Sequence, residues 1–323
     1  MTRQPDNGGR IAFIGECMVE LQEHPDGKLH RSFAGDTLNS ALYMARLKSV
    51  HHHQVYYVTA LGQDRFSTTM LEQWQQEGIR CNYVRRVKDK LPGLYFVDVD
   101  VAGERSFHYW RDQSAARGLF SGTDSLTALT TFDYLYLSGI SAAILPPEGR
   151  KKLLALLQAA KNNGAKVVFD NNYRPKLWQQ KSVAQQWYRD ILAATSIACL
   201  TFDDERELWG DSASAETFER CQALGIEETV IKQGAGPCLI ERRGERYSVT
   251  PRPIARDLII DTNAAGDSFS AGYLAGRLGG HNPQASAVLG HQIAAAVIQH
   301  RGAIIPLAAM PEMTAPSEGS NYC

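Results

Sequence analysis

Short apolar runs alternate with amphipathic stretches along most of the chain. We predict buried strands in the apolar runs at 11–14, 55–61, 134–137, 167–169, 197–201 and 229–232. Helical spacing of apolar residues predicts helices at 38–47, 66–78, 149–163, 181–194, 214–224, 267–278 and 284–299. Strands that alternate with helices in this way predict an α/β fold, a doubly wound and mostly parallel sheet with helices on both faces.

Two segments, 17–34 and 91–113, are β-like and contain no helical pattern between their strands. The second segment predicts a hairpin whose strands are 94–100 and 104–111, joined by a turn at 101–103. Together the two segments predict a small antiparallel sheet that projects from the main domain.

The hairpin register decides which side chains share a face. A three-residue loop with Gly103 in the left-handed region places Tyr95 opposite Tyr109, and alternation adds Arg111 to the same face. This face is a candidate lid over a polar, anionic ligand. It is alternatively a solvent-facing aromatic surface or a contact between two copies of the chain.

Composition and charge narrow the class of protein. The chain has 323 residues, of which 44% are hydrophobic, and a formal net charge of −1, so no global field favours nucleic acid or an anionic membrane. Six scattered cysteines without a Cys-x-x-Cys pair favour a reducing cytoplasm over a disulfide framework or structural zinc. The sequence predicts neither a signal peptide nor a membrane span. We expect a single domain at 10–312 with flexible tails at 1–9 and 313–323.

The segment 261–269 (DTNAAGDSF) follows an apolar run and opens a predicted helix. Small residues at 264–266 let backbone N–H groups approach a phosphate, and the helix dipole adds to that attraction. Asp267 lies inside this anion site, where a carboxylate suits a group that accepts a proton. The alternative is that Asp267 only caps the helix.

Three further loops offer polar side chains at predicted strand ends or helix starts. The loop at 34–39 (AGDTLN) supplies Asp36, Thr37 and Asn39 around a close-approach glycine, as hydroxyl-rich ligands require, although Asp36 and Thr37 are also plausible helix caps. The segment 170–174 (DNNYR) follows a buried strand, where ligands bind in open α/β sheets. The segment 232–236 (KQGAG) follows another strand and resembles a phosphate or nucleotide loop.

These features combine in one known pattern. The segment at 261–267 resembles the carboxyl-terminal signature of the ribokinase-like carbohydrate kinases, and 34–39 resembles their amino-terminal glycine signature. The resemblance extends from about Arg10 to Met310. Further matches lie at 15–21 (GECMVEL), 91–95 (LPGLY), 169–175 (FDNNYRP) and 301–306 (RGAIIP).

The resemblance implies ATP-dependent, Mg²⁺-assisted phosphorylation of 2-keto-3-deoxygluconate at its primary hydroxyl, in sugar-acid catabolism of the Entner-Doudoroff type. It implies that Asp267 is the base and that the amides of Ala264, Ala265 and Gly266 stabilise the transferring group. The implied sugar-acid site comprises Gly35, Asp36, Thr37, Asn39, Tyr95, Tyr109, Arg111, Arg174 and Asp267. The implied ATP site comprises Asn172, Lys232, Gly234, Ala235, Gly236, Ala264, Ala265 and Gly266.

Some positions depart from the family pattern. Ala34 replaces the first glycine of one signature and Ala264 replaces a glycine of the other, so residue 264 is expected to have φ below zero. Phe202 stands where many members carry an asparagine three residues before the acidic Glu205, which is the candidate Mg²⁺ ligand.

Two other functions remain open at this point. One is a ribokinase-like kinase for a neutral sugar such as fructose, and the other is a catalytically silent sugar-acid or nucleotide sensor. The expected partners are a sugar acid, ATP and a second copy of the chain bound through the lid.

Overall fold

The computed structural model describes residues 9–23, 27–99, 105–121 and 126–313. The main sheet contains the strands β1 (Arg10–Ile14), β4 (Gln54–Leu61), β5 (Arg80–Arg86), β8 (Tyr134–Ser138), β9 (Lys166–Asp170), β10 (Ile197–Thr201), β11 (Glu228–Lys232), β12 (Cys238–Arg242) and β13 (Glu245–Val249). The small sheet contains β2 (Met18–Glu23), β3 (Leu29–Ala34), β6 (Gly93–Val99) and β7 (Arg105–Trp110).

The α-helices are α1 (Asp36–Arg46), α2 (Arg65–Gln76), α3 (Gly139–Ala143), α4 (Pro147–Asn162), α5 (Lys181–Ala194), α6 (Phe202–Trp209), α7 (Ser214–Ala223), α8 (Ala265–Leu278) and α9 (Pro283–Val297). Short 3-10 helices lie at Ala115–Gly118, Leu126–Thr131, Pro175–Leu177, Arg256–Leu258 and Leu307–Ala309. Among the described residues, no helix is long and apolar enough to cross a membrane.

The main sheet has the strand order β13-β12-β11-β10-β9-β8-β1-β4-β5. Its strands from β11 to β5 are mutually parallel, and β12 and β13 add an antiparallel hairpin at one edge. The predicted doubly wound, mostly parallel sheet is therefore confirmed. Because the chain leaves β1 toward β4 and later returns to its other side at β8, the sheet has a switch point between β1 and β8, where ligands of such folds bind.

Both faces of the main sheet are buried. Neighbouring residues of β9 belong to opposite cores, since Val167 packs with α4 and α5 residues and Val168 packs with α1, α8 and α9 residues. This explains why the strands are continuous apolar runs rather than alternating ones.

The small sheet has the order β3-β2-β6-β7 and is mostly antiparallel, as the sequence predicts, with β2 and β6 parallel to each other. Tyr95 pairs with Tyr109, which confirms the predicted register of the hairpin. The predicted turn at 101–103 lies outside the described residues. The sequence pattern did not predict β5, β12, β13 or α3.

Candidate active site

Two charged residues meet at the carboxyl edge of the main sheet. Asp170 is the last residue of β9 and Lys232 is the last residue of β11, the two strands that flank β10. Parallel strands bring these ends together, and Lys232 Nζ lies 2.6 Å from Asp170 Oδ2. Ser270 of α8 bonds to both groups, at 2.9 Å from Asp170 and 3.1 Å from Lys232. Burial, the largest single effect, would lower the pKa of Lys232, but the Asp170 carboxylate together with Cys199 and Asp267 outweighs it, and the net direction is upward.

The loop before α8 is held by Asp261. Its carboxylate accepts the N–H groups of Asn263 at 2.8 Å and Gly302 at 2.7 Å. The chain then turns so tightly that Ala264, the residue before α8, has φ 58° and ψ 12°. The expectation of a negative φ at residue 264 is therefore wrong. The side chain is small enough for the left-handed region, where the family pattern has a glycine.

The first turn of α8 presents N–H groups to the cavity above it. The amides of Gly266 and Asp267 belong to that turn and have no intrahelical acceptor. Ala265 is different, because its N–H lies 3.3 Å from the carbonyl of Thr262 and is engaged within the loop. A Cβ built on Gly266 would lie 3.5 Å from Lys232 Nζ, so an ammonium stands beside these amides. Amides, helix dipole and ammonium together make an anion site.

Asp267 lies partly buried at the base of this anion site. Asn39 Nδ2 donates to Asp267 Oδ2 at 2.9 Å, and Ser40 Oγ donates to the Asp267 carbonyl at 3.1 Å. Burial, followed by the nearby Asp36 carboxylate, raises the pKa of Asp267 to about 7. A carboxylate with such a pKa can accept a proton near neutral pH.

The glycine loop before α1 approaches the chain after β1 closely. A Cβ on Gly35 would lie 2.1 Å from the carbonyl oxygen of Glu16, so residue 35 has no room for a side chain. Asp36 accepts the N–H of Thr37 at 2.8 Å and Asn172 Nδ2 at 2.9 Å, and burial raises the pKa of Asp36.

Thr37 does not line the cavity, contrary to its expected role in the sugar-acid site. Its side chain is fully buried, and its Oγ1 lies 3.2 Å from the hydroxyl of Tyr57. The helical turn that starts at Asp36 directs residue 37 toward the main sheet. Its hydroxyl therefore helps to pack α1 against β4.

The small sheet contributes two tyrosines with different surroundings. Tyr95 is buried and its hydroxyl donates a hydrogen bond to Glu20. Burial raises the pKa of Tyr95, and the charge of the Glu20 carboxylate raises it further. Tyr109 is 50% exposed, and its ring centroid lies 5.7 Å from that of Tyr95. Only Tyr109 of the two thus keeps an accessible hydroxyl.

The two expected arginines are also placed differently. Arg111 is buried and forms an ion pair with Glu16, with Arg111 Nε 2.9 Å from Glu16 Oε2. Arg174 has a side chain that is 52% exposed, and its Nη1 lies 2.7 Å from the Tyr173 carbonyl and 3.4 Å from Asp204 Oδ1. Burial raises the pKa of Asp204 to about 6, against the opposing effect of Arg174. Both arginines line the cavity.

The nucleotide-type loop after β11 lies at the same edge. Gly234 has φ 59° and lines the cavity together with Ala235. Gly236 closes the turn by donating its N–H to the Gln233 carbonyl at 2.9 Å. Asn172, with φ 31°, also lines the cavity, and its Oδ1 is buried without a hydrogen-bond partner among the described residues.

Glu205 does not line the cavity, and its position disagrees with a direct role as metal ligand. Its Oε1 accepts Asn171 Nδ2 at 2.9 Å, and its Oε2 lies 2.6 Å from Arg220 Nη2. Residue 205 lies in the first turn of α6, whose buried side faces Arg220 on α7. Direct coordination of an ion would require Glu205 to leave that arginine.

One continuous cavity of about 1980 Å³ lies between these elements. It extends from the small sheet, past the start of α8, to His291 and Ile298 beside α9. Pockets for one drug-sized ligand measure roughly 300–1,000 Å³, so this cavity has room for two ligands side by side.

Three carboxylates that were not among the predicted site residues line this cavity: Glu16, Asp204 and Asp170, the last of which lies in the predicted ligand-binding segment 170–174. Glu16 and Asp170 stand at the carboxyl ends of β1 and β9. A polar residue at the end of an otherwise apolar strand was the available signal for both.

Comparison with known proteins agrees with this geometry. The chain is 50% identical over 305 residues to a 2-dehydro-3-deoxygluconokinase of Dickeya dadantii (strain 3937), covering 93% of this chain and 98% of that one. It is 48% identical over 306 residues to a 2-dehydro-3-deoxygluconokinase of Escherichia coli (strain K12), covering 94% and 99%.

Solved structures share the fold. The crystal structure of a PfkB protein from Polaromonas sp. JS666 has a TM-score of 0.77 at 25% identity, covering 90% of this chain and 96% of that one. The ATP-bound fructokinase of Xylella fastidiosa has a TM-score of 0.78 at 20% identity, covering 94% and 95%. Residues 9–310 match the pfkB family of carbohydrate kinases. The predicted ribokinase-like membership is confirmed, and the chain belongs to the pfkB carbohydrate kinase family.

Proposed function

We propose that this kinase transfers the γ-phosphoryl group of ATP to the primary hydroxyl of 2-keto-3-deoxygluconate. The product is 2-keto-3-deoxy-6-phosphogluconate, an intermediate of sugar-acid catabolism of the Entner-Doudoroff type. The relatives named 2-dehydro-3-deoxygluconokinase are 44–50% identical over nearly the whole chain, which supports this substrate. The observation that carries the proposal is a partly buried Asp267 with a raised pKa beside an anion site, in a cavity that Arg111 and Arg174 also line.

Asp267 is placed to act as the general base. Its carboxylate takes the proton of the primary hydroxyl as that oxygen forms a bond to the γ-phosphorus and the bond to ADP breaks. Of the proposed amide donors, Ala264 and Gly266 retain N–H groups suited to the transferring phosphoryl group, whereas Ala265 supports the turn. A general base contributes about 10²–10⁴-fold in rate, and amide donors of this kind about 10²–10³-fold.

The sugar acid needs side chains that hydrogen-bond its hydroxyls and cationic side chains that bind its carboxylate. Gly35, Asp36 and Asn39 lie beside Asp267 and suit the hydroxyls, while Tyr109, Arg111 and Arg174 suit the carboxylate end. Tyr95 supports this face by packing on Tyr109, since its own hydroxyl is held by Glu20. A neutral sugar has no need of two arginines, which argues against a kinase for fructose.

The nucleotide fits the other half of the cavity. Lys232, Gly234 and Ala235 follow β11 at the edge where the anion site lies, and Asn172 stands between this half and Asp36. Lys232 reaches the anion site while Asp170 holds its ammonium in place. These contacts suit the phosphates of ATP.

Mg²⁺ is proposed as the accompanying ion. Asp204 and the partnerless Oδ1 of Asn172 are oxygen donors that fit a hydrated Mg²⁺ carried by the phosphates of ATP. When bound, Mg²⁺ neutralises charge that develops on the phosphates. Glu205 orients Asn171 behind this edge.

The partner and compartment are proposed on separate grounds. Exposed apolar side chains on the outer strands of the small sheet, Leu29 and Trp110, support a homo-oligomer formed through the lid. Free thiols at the five described cysteines support a reducing cytoplasm.

The test is release of ADP, measured by a coupled assay over a panel of sugar acids and neutral sugars. We expect turnover of 2-keto-3-deoxygluconate well above that of fructose. Preference for fructose would favour the neutral-sugar kinase. Binding of the sugar acid without ADP release would favour the silent sensor, a function that gains nothing from a carboxylate placed beside phosphate.

A further inference from the structure

Glu16 is a buried carboxylate whose two oxygens have unequal surroundings. It follows β1 at the switch point of the main sheet, is 2% exposed and lines the cavity. Its Oε2 accepts both Nε and Nη2 of Arg111. Its Oε1 has no hydrogen-bond donor among the described residues.

A buried carboxylate oxygen without a donor is unfavourable, since it has lost water and gained nothing. The neighbouring Glu20 on β2 shows that the small sheet can satisfy such a group. Glu20 Oε1 accepts Ser32 Oγ at 2.8 Å, and its Oε2 accepts the hydroxyl of Tyr95. Of these two carboxylates, only Glu16 lines the cavity, and only Glu16 has an oxygen without a donor among the described residues.

The space around Oε1 is kept clear by Gly93 at the start of β6. A Cβ on Gly93 would lie 2.9 Å from Met18 Cγ, 3.0 Å from Glu16 Oε1 and 3.2 Å from Arg111 Cβ. All three distances are tighter than most real Cβ contacts, and the Met18 side chain is the flexible neighbour that can move aside. A side chain at residue 93 would press directly on the ion pair.

We propose that Glu16 is a specificity-determining residue for the acceptor, and this inference rests on the proposed function. Its Oε1 accepts a hydrogen bond from a secondary hydroxyl of the sugar acid. Its Oε2 meanwhile holds two nitrogens of Arg111, so that Nη1 is left for the carboxylate of the acceptor. Since Glu16 repels the carboxylate and Arg111 attracts it, the pair also sets the direction in which a polyhydroxy acid lies in the cavity.

The experiment compares 2-keto-3-deoxygluconate with analogues that lack the 4-hydroxyl or the 5-hydroxyl. In the wild-type enzyme, loss of the hydroxyl that meets Oε1 should lower kcat/KM by about tenfold to a hundredfold, as for a hydrogen bond to a charged group. In Glu16→Gln that penalty should fall several-fold, to below about tenfold, because any bond that remains is to a neutral amide and no longer to a carboxylate.

The reason is the orientation of the glutamine side-chain amide in Glu16→Gln. Arg111 donates two N–H groups, so the carbonyl oxygen of the glutamine takes the position of Oε2. The amide nitrogen then stands where Oε1 was. It cannot accept a hydrogen bond from the hydroxyl, and it can only donate a neutral N–H bond to the hydroxyl oxygen, which is weaker than a bond to a carboxylate.

Glu20→Gln is the matched control, a buried carboxylate of the same sheet whose oxygens both have partners. It should leave the penalties of both analogues as in the wild type. Gly93→Ala is a second route to the same site if Glu16→Gln fails to fold, because its Cβ presses on Oε1 while the ion pair remains. It should reduce the same penalty.

The outcomes separate the two proposals. If Glu16→Gln or Gly93→Ala folds with an unchanged KM for ATP, yet both analogues keep their wild-type penalties, the role of Glu16 is overturned and the proposed function stands. If the wild-type enzyme fails to phosphorylate 2-keto-3-deoxygluconate, the proposed function falls together with this inference. A penalty that falls several-fold for one analogue in Glu16→Gln and is kept in Glu20→Gln supports it.

Discussion

Asn39 donates its side-chain amide to Asp267 across 2.9 Å, joining residues 228 positions apart in the chain. The contact brings the start of α1 to the start of α8. Asn39 thereby orients Oδ2 of Asp267 and stabilises its charged form, against burial and the Asp36 carboxylate, which raise the pKa. The carboxylate is thus positioned and yet remains basic, a combination that general-base catalysis requires.

Replacement of Asp267 by asparagine tests this role. We expect Asp267→Asn to lower kcat by at least about 10²-fold with little change in the KM for ATP, since a base acts in the transition state. The amide oxygen can still accept from Asn39, so the fold should persist. Steady-state kinetics would check this, with Asp257→Asn, an exposed carboxylate of the preceding 3-10 helix, as the control. A near-normal rate would remove Asp267 from the mechanism.

The raised pKa of Asp267 also predicts a pH dependence. Since the base must be ionised, kcat/KM should fall about tenfold per pH unit below the folded pKa, which is about 7. In Asp36→Asn the inflection should move to lower pH, because one of the causes that raise the pKa is gone. The measurement is the pH at which kcat/KM of each enzyme bends, and it does not depend on the maximal kcat/KM of the variant. An inflection that does not move would contradict the coupling.

Stability should show the opposite trend with pH. Between the ordinary value of 3.8 and about 7, the folded chain binds more protons at Asp267 than the unfolded chain does. The free energy of unfolding of the ligand-free enzyme should therefore rise as pH falls through this window. The stabilising contribution of Asp267 is lost as pH rises through its folded pKa. Asp267→Asn should flatten this part of the profile, which thermal unfolding at several pH values would measure. An equal slope in the variant would exclude Asp267 as the cause.

Much of the fold was accessible from the sequence because apolar periodicity reports burial directly. The helix at 181–194 and the strand at 197–201 have the predicted bounds, and the pairing of Tyr95 with Tyr109 follows from alternation. β12 and β13 were missed, since short hairpin strands at a sheet edge carry mixed polar residues.

The site was less accessible, because partners distant in sequence decide what a polar side chain does. Thr37 stands in a binding signature but packs on Tyr57, and Glu205 is held by Arg220. Arg111 was expected to be free for a ligand, whereas Glu16 already takes two of its nitrogens. The spacing of these residues in the sequence does not predict these contacts.

The two arginines should respond differently to substitution. Arg174→Ala should raise the KM for the sugar acid about ten- to a hundredfold if it meets the carboxylate, with little loss of stability because its side chain is half exposed. Arg111→Ala should also destabilise the fold, by about 3–5 kcal/mol, since it leaves buried Glu16 unpaired. Kinetics paired with denaturant unfolding would separate the effects. If the KM for ATP rises instead, the arginine in question belongs to the phosphates.

Tyr109→Phe tests the hydroxyl that the small sheet leaves accessible. It keeps the ring contact with Tyr95 and removes one hydrogen bond, so the affinity for the sugar acid should fall by roughly 0.5–1.5 kcal/mol. His108→Ala is the comparison. Strand alternation puts His108 on the opposite face from Tyr109, although His108 also borders the cavity, so a smaller loss of affinity is expected. Calorimetry with the sugar acid would measure both. Loss of affinity in His108→Ala alone would mean that the lid face is assigned to the wrong side of the sheet.

The left-handed backbone at Ala264 leads to a prediction about stability and turnover together. A residue with a Cβ costs roughly 1–2 kcal/mol in this region, whereas glycine costs little. Glycine also gives the unfolded chain more freedom, which offsets about 0.4–1 kcal/mol of the gain. Ala264→Gly should therefore stabilise the enzyme slightly, by up to about 1 kcal/mol, and keep its turnover.

Ala264→Val should instead destabilise the enzyme and lower its turnover, because a β-branched residue strongly resists a φ of 58°. The strain would shift the first turn of α8. We therefore expect a lower kcat, with a smaller change in the KM for the sugar acid. Thermal unfolding and steady-state kinetics of the two variants would measure this, and a valine variant with normal kcat would show that the turn does not set the anion site.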